Sequence, residues 1–524
     1  MNIINIIRIG LFVLLPFFCS TRIYAEIPEL IGVIKSDTVN SFFGFRIVPL
    51  EDQNNDGYDD FITYSLKNRA YLFYGGSPLD AFVDVVFDSV GHKMNNISDI
   101  NGDGYSDFSI GGNNPYNWKL NVYYGGPDVD SVRDLWFGLD TLQSQGYTVF
   151  CDDINQNGTP EIISFSKWGD ITRAVALYDL DPPTDSIPNM IFIPPNQTYI
   201  VDYEGFGEGI VSGYFNGDSI CDLAVNYRPR EQDHKNGEIW FYWGSGEIDS
   251  NPDFRIIGPG EFQYTFSGFG TILEYLGDVN GDGYDDVFAG NSQSSDSLSY
   301  IYYGGVNMDT IPDVIFTKFC TKARLAGDIN NDGYNDLITG YPSYYSNLCR
   351  VYLYLGGPAM DSIPDYTFTV NNLGGYHNYI GNDVSGVGDI NGDGIDDFAF
   401  SAVDVYGKGT IFTYSGWQDP VNVEYNYGSI IPDQYDIGPN YPNPFNSNTT
   451  IKVSIPLRGN ISLKVYDIMG REIKTIIERD LNAGQYLFRW NGTNNNGIIV
   501  STGIYFLELK SKSYEQSIKM MLLK

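Results

Sequence analysis

The chain has 524 residues, with 66 Asp and Glu against 31 Lys and Arg, and a formal net charge of −35. With 58 Gly, 41 Tyr and 32 Phe it is too aromatic for a disordered polymer and too long for one ordinary domain. The acidity excludes nucleic-acid binding, which needs basic patches to meet phosphate.

Residues 1–25 have the form of a secretory signal peptide: Arg8, the short apolar run Ile9–Phe18, then Ile23-Tyr24-Ala25 as a cleavage site. The run is too short to span a bilayer, and the mature chain offers no transmembrane segment. Pro16-Phe17-Phe18 before Cys19 lacks the small residues of a lipid-anchor site, so secretion is the expectation. Of the cysteines that remain, Cys320 and Cys349 fall in one repeat and could pair, while Cys151 and Cys221 fall in neighbouring repeats. Buried free thiols are the alternative.

From residue 52 onward a nine-residue loop, Asp-x-Asn-x-Asp-Gly-x-x-Asp, returns at blade-sized spacing. Regular copies run Asp52–Asp60, Asp99–Asp107, Asp278–Asp286, Asp328–Asp336 and Asp389–Asp397; worn copies run Asp153–Glu161 and Tyr214–Asp222. After each regular loop comes an expected alternating strand, such as Phe61–Tyr64 or Phe398–Phe400. Next stands an aromatic strand ending in Gly, such as Tyr71–Gly76, and then a short strand opened by Pro and an acid, such as Ile311–Val314. With the strand that leads into the loop, this makes four antiparallel strands per repeat. The expected fold class is therefore all-β: a seven-bladed β-propeller over residues 26–418. Ile27-Pro28-Glu29-Leu30 has the form of a last strand but precedes the first loop, so it is expected to complete the final blade and close the ring.

The loop is also a candidate metal site. Positions one, three, five and nine offer side-chain oxygens and position seven a backbone carbonyl, the donor set of a hard cation on a flexible loop. The candidates are Asp52, Asn54, Asp56, Tyr58 and Asp60; Asp99, Asn101, Asp103, Tyr105 and Asp107; Asp278, Asn280, Asp282, Tyr284 and Asp286; Asp328, Asn330, Asp332, Tyr334 and Asp336; and Asp389, Asn391, Asp393, Ile395 and Asp397. A plain hairpin turn needs the Gly but not four further oxygen donors, so about five structural Ca2+ ions are expected. Asp153, Asn155, Asn157 and Glu161 are weaker candidates, and no ion is expected at Tyr214–Asp222, which lacks the first carboxylate and the Gly. An EF-hand is excluded, because position twelve, such as Ile110 or Ala289, lies inside an expected strand.

With Phe43-Gly44 and Phe269-Gly270, these loops resemble the FG-GAP repeat of the integrin alpha-subunit propeller and its bacterial relatives. The resemblance implies calcium on one rim of a ring and an extracellular binding or adhesion role.

Residues 419–437 are expected to be a linker, and 438–524 a small β-sandwich with alternating runs at Thr450–Ile455, Ser462–Tyr466, Tyr486–Trp490 and Tyr505–Leu509. Tyr441–Phe445, Val465–Glu472, Ala483-Gly484, Gly503–Tyr505 and Lys519–Lys524 resemble the type A sorting domain of type IX (Por) secretion. That resemblance implies the type IX machinery as partner, and a secreted or cell-surface protein of a Gram-negative bacterium.

An extracellular glycan or protein ligand is expected on the face opposite the loops, around Asn114–Trp118, Lys167–Asp170, Arg228–Asn236, Gln263–Gly268 and Asn371–Tyr379. Their aromatics, Tyr116, Trp118, Trp168, Tyr264, Tyr376 and Tyr379, suit sugar rings; packing between blades is the other reading. Only His92, His234 and His377 are present, without a nucleophile elbow or HExxH, which favours a non-catalytic binder. A polysaccharide hydrolase or lyase on the same scaffold is the alternative, since a carboxylate pair is available anywhere in so acidic a chain.

Overall fold

The computed structural model describes residues 28–523 except 37, 113–119, 138–141, 169–171, 181–187, 194–204, 229–236, 259–267, 292–297, 344–348, 359, 370–378, 418–423, 427–431, 433, 441–442, 446–448, 482–483, 491, 495–499 and 513. The signal-peptide expectation, and nearly all of the segments expected on the ligand face, lie outside these. The chain forms two compact units, residues 28–419 and 420–524.

Among the described residues the first unit holds seven four-stranded antiparallel sheets. Blade one is Arg46–Glu51, Asp60–Ser65, Arg69–Phe73 and Val85–Asp88; blade two is Val90–Asn96, Phe108–Gly112, Leu120–Tyr123 and Leu135–Phe137. Blade three is Leu142–Cys151, Glu161–Trp168, Thr172–Asp179 and Met190–Phe192; blade four is Gly205–Gly213, Asp222–Arg228, Glu238–Tyr242 and Phe254–Ile257. Blade five is Ile272–Gly277, Asp286–Gly290, Ser299–Tyr302 and Val314–Phe316; blade six is Lys322–Gly327, Asp336–Tyr341, Arg350–Tyr354 and Tyr366–Phe368. Blade seven is Val384–Gly388, Asp397–Val403 and Gly409–Tyr414, and its fourth strand is Leu30–Lys35 from the other end of the unit. Val33 lies opposite Phe412 and Ile34 opposite Ile411, so the edge that blade seven would otherwise expose is paired.

The first strand of every blade packs against the first strands on either side, and that of blade seven returns to blade one. The ring is closed. Hydrophobic clusters bridge neighbouring blades: Leu50, Ile62, Leu72 and Phe87 of blade one pack with Met94, Phe108 and Tyr123 of blade two. Because each blade is covered on both faces, its second strand is buried over most of its described length, and at every position in Asp60–Ser65 and Asp397–Val403. The alternation expected there is therefore absent; a continuous apolar run is what a strand between two neighbours requires. The expected Ile-Pro-Asp strand openings are turns instead. The Asp313 carboxylate accepts the Tyr303 N–H at 2.8 Å, and the strand begins at Val314.

The second unit has two four-stranded sheets. Ile451, Val453, Phe488 and Trp490 from one share a core with Ile461, Leu463, Leu507 and Met520 from the other. The expected linker 419–437 needs correcting. Glu424–Asn426 pairs with Gly484–Trp490 and Asp436–Ile437 with Thr449–Ile455, so both short strands belong to this unit, with Ile437 buried in its core.

Candidate metal centres

Each Asp-rich loop joins the first strand of a blade to the second, so all seven lie on one rim of the ring. Their shape follows from two left-handed residues. At position six Gly57, Gly104, Gly158, Gly283, Gly333 and Gly394 have φ between 87° and 93°. Position four is left-handed as well, from 53° at Asn331 to 82° at Gly217, which explains why the regular loops place Asn or Gly there.

Within loop one the Asp52 carboxylate accepts the Asp56 N–H at 3.1 Å and the Gly57 N–H at 2.9 Å. Asn54 Oδ1 accepts the Asp56 N–H at 3.0 Å, and Asp56 Oδ1 the Tyr58 N–H at 3.1 Å. The pattern recurs at Asp99, Asn101, Asp103 and Tyr105; at Asp278, Asn280, Asp282 and Tyr284; and at Asp328, Asn330, Asp332 and Tyr334. Asp389, Asn391, Asp393 and Ile395 share it too, except that the Asn391 amide turns to Asp397 instead of Asp393.

Position nine behaves differently from the simple ligand that spacing suggests. Asp60 is fully buried; its carboxylate accepts the Gln53 N–H at 2.8 Å and, from the end of the third strand, the Gly75 N–H at 2.7 Å. Asp107, Asp286 and Asp336 repeat this with Ile100 and Gly125, Val279 and Gly304, and Ile329 and Gly356. Asp397 takes the Gly416 N–H and the Asn391 amide. This residue ties loop to blade, with lone pairs left for a further contact. Burial, with the charges at positions five and one adding to it, pushes Asp60, Asp286 and Asp397 up to about 8 and Asp107 to about 7, while Asp336 rises well above its ordinary range.

The loops also form the seams between blades. Ile390 O accepts the Gly76 N–H at 2.8 Å, Gln53 O the Gly126 N–H at 3.0 Å, Val279 O the Gly357 N–H at 2.7 Å and Ile329 O the Trp417 N–H at 2.8 Å. The position-seven ring lies over the neighbouring loop: a Cβ added to Gly392 would meet the Tyr58 ring at 2.5 Å.

Two loops depart from the pattern. In blade three the Leu180 N–H goes to Pro160 O at 3.0 Å where other blades send a Gly N–H to position nine. Glu161 Oε1 and Asp153 Oδ1 are left buried without a hydrogen-bond partner, and burial pushes Glu161 up to about 8. Asn155 and Asn157 donate to Asp179 at 3.2 and 2.8 Å, a carboxylate the loop spacing does not reveal. Blade four has Tyr214 at position one and Ser219, at φ 65°, in place of the Gly. These two blades keep the seam bond, the Ser245 N–H to Ile154 O at 2.8 Å, and are joined in addition by a disulfide between Cys151, just before loop three, and Cys221, within loop four. Cys320 and Cys349 are buried thiols that are not joined in a disulfide.

The donor chemistry of the five regular loops fits a hard cation: three carboxylates, an amide oxygen, a backbone carbonyl, and no Lys, Arg or His. Among the described residues no three His, Cys, Asp or Glu side chains are gathered closely enough to hold an ion by themselves. Positions one and five lie toward the surface and position nine turns inward, so the amide and carbonyl oxygens would have to share the coordination.

Residues 440–523 match the secretion system C-terminal sorting domain, and residues 325–354, blade six with its loop, match the FG-GAP repeat. The chain thus contains a stretch that matches the FG-GAP repeat and a C-terminal unit that matches a secretion sorting domain. Over 107 residues, 20% of the chain, it is 35% identical to integrin alpha-PS3 of Drosophila melanogaster; over 135 residues, 25% of the chain, it is 30% identical to integrin alpha-7 of Mus musculus. These matches span 9% and 10% of the two integrins. Among solved structures it resembles PorZ, described as an essential bacterial surface component of the type-IX secretion system of Porphyromonas gingivalis, with TM-score 0.34 and 14% identity over 95% of this chain and 59% of that one. It also resembles the Dos1 propeller, with TM-score 0.39 and 9% identity over 68% of this chain and 76% of that one. The sorting domain implies the type IX machinery and delivery to the outside or the outer surface of the cell. Among the described residues no helix is long and apolar enough to cross a membrane.

Of the ligand-face aromatics, Tyr116, Trp118, Tyr264 and Tyr376 lie outside the described residues, as does the Trp168 side chain; Tyr379 is half-buried with φ 57°.

Proposed function

We propose that this FG-GAP propeller is a non-catalytic secreted or cell-surface binding protein whose ring is stabilised by about five calcium ions and whose ligand is an extracellular glycan or protein. The observation that carries the calcium reading is the double role of the loops. The segments that concentrate carboxylates also make the hydrogen bonds between blades. Asp52, Asn54, Asp56, the Tyr58 carbonyl and Asp60 would hold the first ion, and the equivalent residues of loops two, five, six and seven the others. A bound cation offsets the repulsion among these carboxylates and so keeps adjoining blades in register.

Support for binding as the role comes from the sorting domain, which carries the ring out of the cell, and from the water-accessible channel that the ring encloses. Metal analysis of the purified chain after dialysis against micromolar calcium tests the first half, with about five ions per chain expected; a chain retaining none overturns it. A glycan and surface-protein array tests the second half. Release of reducing or unsaturated products from polysaccharide would replace the binding reading with the enzymatic one.

A further inference from the structure

The first strands of the seven blades enclose a central channel of about 800 Å³. All run from the remote face to the loop rim, so position along a strand reads as depth in the channel. The charges on its wall are sorted by depth. Glu51, Asp152, Asp285 and Asp396 line the loop end. Further in, Glu274 is paired with Arg324, while at the remote mouth the Glu208 carboxylate is neutralised by Arg228 at 3.2 Å.

At the remote mouth the balance reverses. Arg46 and Lys322 both open their strands and both line the channel. The Arg46 guanidinium donates to Met94 O and to Asn95 Oδ1, each at 3.1 Å, and neither acceptor is charged. The Lys322 ammonium stands 3.9 Å from the buried Asp383, whose other oxygen is held by the Ile47 N–H at 2.7 Å. Blade seven separates the blades that supply the two cations, so they flank one arc of the wall. Burial, with smaller contributions from Lys93, Arg46 and Lys322, pushes the nearby His92 down to about 4. A chain with 66 acidic residues against 31 basic ones has set an under-neutralised cationic arc at one channel mouth.

We propose that this mouth, with Arg46 and Lys322 as its charged groups and Thr148 and Ser385 as polar neighbours, binds an oxyanion carried by a saccharide, either the carboxylate of an acidic sugar or a sulfate ester. This inference rests on the binding reading above and narrows it to acidic glycans. The Arg fork and the Lys point charge both suit such a group, and the acidic loop rim repels it, which directs the anion to the remote entrance.

The test uses the full chain with calcium present and measures Kd for a galacturonate oligosaccharide, a sulfated galactan oligosaccharide and a neutral galactan of the same length. We expect one acidic probe to bind at least about tenfold more tightly than the neutral one, with the preference falling as salt rises; which probe wins identifies the source of the anion. The double substitution Arg46→Gln, Lys322→Gln should erase the preference, while Arg69→Gln, an exposed residue paired with Asp88 on an outer strand, should leave it intact. If the double variant melts early, Arg46→Lys with Lys322→Arg keeps the charge and should keep the preference. Equal affinity for acidic and neutral probes, or a preference that survives the double substitution, overturns the acidic-glycan site while leaving binding in place. Failure of all three probes overturns it as well, and the array then decides the broader reading independently.

Discussion

If the loops hold the proposed cations, removing them should invert the pH dependence of stability. In the metal-free chain the position-nine carboxyls stand near 8 at Asp60, Asp286 and Asp397, against an ordinary value of 3.8 in the unfolded chain. A carboxyl raised on folding binds its proton more tightly in the folded state. Its stabilising contribution is complete below 3.8 and is lost as pH climbs through about 8. A tenfold gain in proton affinity is worth about 1.4 kcal/mol, so one such gain retained at each of the five regular loops amounts to about 7 kcal/mol. That is comparable with a typical total stability of ~5–15 kcal/mol. A bound cation takes the place of those protons and abolishes the loss. Thermal unfolding of the full chain, scanned from pH 5 to pH 8 with chelator and again with millimolar calcium, is the assay. We expect a melting temperature that falls with pH in chelator and stays level or rises in calcium. Coincident curves, or a chelated chain that gains stability toward pH 8, would refute the reasoning, because the loops would then carry no uncompensated charge.

Four other outcomes are expected. Breaking the Cys151–Cys221 link, which spans 70 residues, by the double substitution to Ser should cost about 4 kcal/mol by loop-closure entropy, read from denaturant unfolding. Ile34→Ala in the closing strand, buried at 3% exposure, should cost about 2–4 kcal/mol, whereas Ile311→Ala, at 70%, should leave the same transition within about 0.5 kcal/mol. Ser219→Gly should raise stability by about 1 kcal/mol, because Ser219 holds φ at 65°, where its Cβ is strained and Gly is not. Deleting residues 440–524 should leave the propeller inside the outer membrane, as fractionation and surface proteolysis would show.

Much of this fold was legible in the chain itself. The seven loop starts mark seven blades, and a closing strand from the N-terminal side was legible as well, although it runs Leu30–Lys35 and shares only Leu30 with the segment expected. Contacts between repeats leave no such signature. Nothing in the spacing shows that Asp60 spends both oxygens on backbone amides, that Gln53 O meets Gly126, or that Leu180 deprives Glu161 of a partner. The cysteines illustrate the same limit. Cys320 and Cys349 share a blade yet remain apart, while Cys151 and Cys221 meet because the ring sets the end of one blade's first strand beside the next blade's loop. Likewise Arg46 and Lys322 are remote in sequence, and only closure of the ring brings them to one mouth.

The strand exchange in blade seven fixes where the ring is cut and when it can be finished. Leu30–Lys35 waits without a partner until Gly409–Tyr414 has been made, so the last pairing joins the first-made and last-made parts of the propeller. A contact of such long range forms slowly, and until it forms the growing ring presents a free sheet edge at each end. Conversely, the cut lies within a blade, so joining the old ends and reopening the chain in an exposed turn elsewhere would preserve every strand pair while changing only the order of manufacture. A permuted propeller of that kind would separate what the closure does for stability from what it does for the timing of folding.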